Sequence, residues 1–102
     1  MMVYIAGPMT GLPDHGRVAF SRAENKLTGL GYTVISPAWM SDGLPRKSYL
    51  PIYMAMIDQC DAIVLLDGWE QSKGAGIEKG YAEYCGKAVY ELEQLLGKGA
   101  LD

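Results

Sequence analysis

One histidine stands in this sequence, His15, and it lies among Gly11, Pro13, Asp14 and Gly16. A metal site built on imidazole, or a histidine-driven nucleophile, needs that side chain held by a packed element, so neither is supported. Cysteine is equally sparse. Cys60 and Cys85 fall in neither a Cys-x-x-Cys nor a His-paired spacing, and each sits in an apolar stretch, which reads as two buried free thiols in a reducing cytoplasm. Basic surplus is missing as well: the formal charge is −3, which gives no footprint for a nucleic-acid polymer. A small anion stays within reach, because backbone N–H groups at a helix start hold one without net positive charge. No apolar run is long enough to span a membrane, and Met1 to Gly7 has no basic region of the kind that opens a signal sequence. The P-loop pattern is absent too, and Gly74, Gly76 and Gly80 have the wrong spacing and the wrong place for a dinucleotide fingerprint. No cofactor is implied.

What is present is an ordinary globular composition. With 102 residues, 49% hydrophobic and 21% charged, the chain suits one domain over 1–102 with a single core. Val3 to Ala6 reads as a strand halted by Gly7 and Pro8, with a long loop to Gly16. From Arg17, apolar residues at helical spacing run to Leu30, and Gly31 stops them. Tyr32 to Ser36 is a second strand. Ser48 then caps a second helix with Pro51 in its first turn, and Asp61 to Leu66 is an unalternating apolar run suited to a central strand. Gly74 to Cys85 is a third helix, Lys87 to Tyr90 a fourth strand, and Glu91 to Leu96 a last helical turn or two before a frayed tail.

Strand and helix alternate, so right-handed crossovers produce an α/β fold, a doubly wound parallel sheet in the flavodoxin-like order 2-1-3-4. Ligands in such sheets sit beyond the carboxyl ends of the strands at the switch point, here between the first and third strands. Two loops flank it. Gly7, Pro8, Met9 and Thr10 come from one, and Asp67, Ser72, Lys73, Gly74 and Gly76 from the other and the helix that follows. Glu78 stands apart from the other acids. It has no Lys or Arg three or four residues away, and its neighbours one turn off are Gly74, Ala75, Tyr81 and Ala82, whereas Glu83 has Lys79 as an ordinary surface partner. An acid near a helix start can simply meet the dipole, and Ser72 can simply cap. A carboxylate framed by small residues also suits a crevice wall. Tyr4 by itself reads as a core aromatic.

Three blocks carry a resemblance: YIAGPMTG over 4–11, CDAIVLL over 60–66 and SKGAGIEKGYA over 72–82. Together they resemble the nucleoside 2-deoxyribosyltransferase superfamily, which includes 2'-deoxynucleoside 5'-monophosphate N-glycosidases and small phage-associated members. The resemblance implies a nucleoside or nucleotide substrate and a retaining reaction at C1' of the deoxyribose. Glu78 would be the nucleophile that forms a glycosyl ester, and Tyr4 would orient it. Ser72 falls where the monophosphate-cleaving branch carries a phosphate-binding serine. The chain departs from the pattern in two places. Tyr53 stands at the position of the family's usual proton-donating aspartate, leaving Asp58 as a stand-in, and nothing after Tyr90 supplies the asparagine that transferases borrow from a partner subunit. Hydrolysis is therefore expected ahead of transfer, with a nucleotide-binding protein without turnover as the alternative and a small interaction protein as the third option. A homodimer is expected from the resemblance and from the aromatic and methionine residues between Trp39 and Met56.

Overall fold

The computed structural model describes residues 1–9, 11–40 and 43–101, leaving aside the side chains at 46 and 98–101. Thr10, expected at the site, lies outside them. Strand β1 (Met2–Ala6) alternates strictly: Val3 and Ile5 face one side of the sheet, Tyr4 and Ala6 the other. It pairs in parallel with β2 (Thr33–Ile35) and with β3 (Ala62–Leu65), and β3 pairs in parallel with β4 (Ala88–Glu91). The order is 2-1-3-4, as expected. Every residue of β3 is buried, because helices cover both faces of this central strand.

Helices α1 (Arg17–Gly29) and α4 (Leu92–Leu101) lie on the Val3 face, and α2 (Arg46–Asp58) and α3 (Lys73–Tyr84) on the Tyr4 face. Phe20, Ala23, Leu27 and Leu95 fill the first side with Val3, Ile5, Val34 and Val64. Asp14 starts α1 by accepting from the N–H groups of Gly16 and Val18 at 2.9 and 3.0 Å. These two bonds hold its carboxyl below the usual aspartate range. Gly31, at φ +96, ends the same helix with a backbone that L side chains rarely adopt.

Three sequence expectations are corrected here. The second helix begins at Arg46, not Ser48, because Pro45 presets φ at −55 and its carbonyl accepts from Ser48 N–H at 2.8 Å. Pro51 is thereby moved from the first turn into the helix interior. The last helix runs on through Leu101: Gln94 accepts from Glu91 N–H at 2.7 Å to start it, Leu95 buries itself against the α1 side, and Gly97 weakens the helix without stopping it. Of the two thiols, Cys60 is buried and donates to the Met56 carbonyl, but Cys85 is exposed at the end of α3.

Among the described residues, no helix is long and apolar enough to cross a membrane.

Candidate active site

The Tyr4 face carries a buried pair of ionisable side chains. The Tyr4 hydroxyl donates to Glu78 Oε2 at 2.8 Å, linking the middle of β1 to the middle of α3 across 74 positions of sequence. Tyr4 is fully buried and Glu78 only 5% exposed. Glu78 reaches β1 because Ala75 and Ala82 bury their small side chains on the same face, bringing α3 close to the sheet. Burial lifts the Glu78 carboxyl to about 7, against the pull of the tyrosine bond, which favours the ionised form. Burial and the neighbouring carboxylate push Tyr4 the same way, well above the usual phenol range, so it stays a donor. The pair offers an oriented carboxyl that changes charge near neutrality, able to attack as a carboxylate or to give a proton.

The loops expected at the switch point do meet there. A side chain on Gly7 would come within 2.9 Å of Leu66 Cβ, and one on Gly68 within 3.3 Å of the Pro8 ring. Met9 turns to the opposite side and packs with the α1 cluster. Ser72 begins α3 by accepting from Ala75 N–H at 3.2 Å, so the capping role is real, and the Lys73 and Gly74 amides are left without helical partners. Lys73, Gly74 and Gly76 are exposed, with open space where a side chain would stand on either glycine. Asp67 is exposed and lines both a 320 Å³ cavity with Trp69, Glu70 and Glu91, and a 410 Å³ cavity between α1 and α4. Neither of these two cavities is lined by Tyr4 or Glu78; the carboxyl is roofed rather than open as the crevice reading expected.

Asp58 is not brought to Glu78. It is the last residue of α2, at the amino ends of the strands, where it accepts from the Tyr81 hydroxyl at 2.6 Å. The reason is direction: α2 runs antiparallel to the sheet, so its final turn lies at the edge opposite the switch point. Tyr53, one and a half turns earlier, packs instead against the cluster that holds Tyr4. Sequence reasoning missed Trp69. Its ring packs on the same cluster with the Lys79 ammonium 5.4 Å from its centroid, and its indole N–H is buried without a partner among the described residues. Its place just after the Asp67–Gly68 turn was the available signal. The Lys79–Glu83 surface pair forms as expected, at 3.0 Å.

A family model described as a domain of unknown function (DUF4406) matches residues 1–91. Among solved structures, a 2-desoxiribosyltransferase from Leishmania mexicana is similar with a TM-score of 0.72 and 26% identity over 88% of this chain. The chain spans 62% of that protein's length. No curated protein sequence matches.

Proposed function

From a chain that belongs to the family described as a domain of unknown function (DUF4406) and folds as nucleoside 2-deoxyribosyltransferases do, we propose an N-glycosidase acting on 2'-deoxynucleoside 5'-monophosphates. The observation that carries this reading is the buried Tyr4–Glu78 hydrogen bond at 2.8 Å. In the ionised state one Glu78 oxygen attacks C1' of the deoxyribose, the C1'–N bond breaks, and the electron pair leaves with the base. Water then attacks C1' of the glycosyl ester and frees Glu78. Tyr4 holds the second carboxylate oxygen so that the first points outward. The whole chain serves as one domain, and Gly7, Pro8 and Asp67 shape the sugar and base side, Met9 being turned away from it. The phosphate sits at the start of α3, against the Lys73 and Gly74 amides, Gly76, the Ser72 hydroxyl and the Lys73 ammonium.

Incubation with each of the four common deoxynucleoside monophosphates, followed by chromatography for free base, tests the reaction. Base release is the expected result; none from any of the four sinks it. For the phosphate, titration calorimetry of a deoxynucleoside with and without its 5'-phosphate should favour the phosphorylated ligand, and Ser72→Asp should reverse much of that preference. Equal affinity of the unaltered protein for the two removes the phosphate assignment.

A second reading, binding without turnover, is favoured by the 5% exposure of Glu78 and by the placement of Asp58 at the far edge. A ligand-induced rise in melting temperature without base release would select it. We further propose a homodimer in solution, in keeping with the exposed Trp39, Ile77 and Tyr84, and a monomer by light scattering at micromolar concentration would refute it.

A further inference from the structure

We propose that Tyr53 is the proton donor to the departing base, a role that rests on the glycosidase reading of the same site. A base expelled from C1' carries an electron pair onto its ring, and a positioned acid lowers the barrier by meeting that charge. Asp58 is at the wrong edge of the sheet, and the Cys60 thiol is buried and already donates to the Met56 carbonyl. Tyr53 is in the right place for geometric reasons. It is the eighth of thirteen residues in α2, Glu78 the sixth of twelve in α3, and the two helices pack together, both antiparallel to the strands. The Tyr81–Asp58 hydrogen bond sets the register of the two helices, and with Tyr53 five residues before Asp58 and Glu78 three before Tyr81 the two stand at similar levels along the strand direction. Side chains on both lean toward their helix N-termini, that is, toward the carboxyl edge where a ligand enters.

Tyr53 also packs on the buried cluster that contains Tyr4 and Ala75. Its ring is oriented by Tyr49 one turn earlier, with centroids 5.8 Å apart, and the Tyr49 hydroxyl in turn accepts from Leu44 N–H at 3.2 Å. In the first half-reaction the Tyr53 hydroxyl proton passes to a ring nitrogen or carbonyl oxygen of the base as the C1'–N bond breaks. In the second, the phenolate takes a proton from the attacking water, whose oxygen joins C1' as Glu78 leaves. The cycle consumes one water and restores both residues.

The test uses two substrates that differ in their need for a proton: deoxyguanosine 5'-monophosphate and its N7-methyl derivative, whose cationic base leaves neutral without one. Tyr53→Phe should lower kcat on the first by about a hundredfold and on the second by less than about threefold. Equal losses on both, or no loss on either, overturn the assignment. A second variant guards against disturbed packing: site-specific 3,5-difluorotyrosine at position 53 keeps the ring and lowers only the phenol pKa. It should move the alkaline limb of the pH–rate profile to lower pH, and an unmoved limb counts against the proposal. If the unaltered protein releases base from none of the four common deoxynucleoside monophosphates, the glycosidase reading itself falls, and this one with it; cleavage of both test nucleotides with equal losses in the variant removes Tyr53 alone.

Discussion

The two faces of the sheet are built from the same strands by alternate residues, yet they do different things. Val3 and Ile5 enter a side packed by the apolar side chains of Phe20, Ala23, Leu27, Val34, Val64 and Leu95. Tyr4, one position over, carries a hydroxyl into an equally buried layer and meets a carboxyl there. A single step of strand register separates a layer that only holds the fold from one that holds a polar pair at a cost in desolvation. The dry side secures β1, so the opposite side can carry the strain of a buried acid.

The sharpest way to break the comparison is at the acid itself. Glu78→Ala should lower base release by more than about a thousandfold with the circular dichroism spectrum unchanged, since a retaining mechanism has no substitute nucleophile. Turnover close to the unaltered level would remove Glu78 from the reaction. The converse change, Leu27→Ala on the dry face, should cost about 2–5 kcal/mol in urea unfolding and, in whatever fraction remains folded, leave kcat near its original value.

The third experiment varies pH rather than sequence. Glu78 is raised from 4.5 to about 7 on folding, so the folded state binds the proton more tightly than the unfolded chain. Its contribution is complete below pH 4.5 and disappears as pH rises through 7, a loss of about 3 kcal/mol at most. Glu78→Gln should flatten that fall in a series of urea unfolding curves, whereas the same slope in both proteins would mean that another group titrates. Base release should run the opposite way, rising with pH toward a plateau above about 7 because the attacking form is the carboxylate. Tyr4→Phe removes the bond that favours that form and should move the midpoint of the rise to higher pH; an unchanged midpoint would disconnect the pair.

The smallest effect belongs to the helix start. Ser72→Ala removes the bond to Ala75 N–H and should cost about 1 kcal/mol of stability. A larger penalty on nucleotide affinity than on stability would separate the phosphate role from the capping one.

How much of this was legible in the sequence follows from how local each feature is. Ala62 to Leu65 announces a covered strand by its lack of alternation, and Glu78 announces itself by small neighbours and missing cations, both within a few residues. The burial of Glu78 was not legible. It depends on α3 closing onto β1, a contact between residues 74 positions apart. Asp58 failed as a candidate for a similar reason: type and spacing name an acid on the right helix, but only the helix direction tells which edge of the sheet it reaches. Pro51 misled because Pro45, six residues earlier, is an equally good place to start.

One feature of the first loop bears on how such a chain can vary. Gly16 sits at φ +77 with no room for a side chain, since an added carbon would come within 2.4 Å of the Pro8 carbonyl. Pro8 in turn rests on Gly68. The loop is therefore clasped at its neck, like a bag tied shut, and what hangs beyond the tie bears little on the sheet. Residues 11–13, exposed and outside the clasp, are where insertions, deletions or a grafted recognition segment should be absorbed without moving Tyr4 or Glu78. Chains of different length can thus share one sheet and one buried Tyr4–Glu78 pair while the purse beyond the knot is refilled.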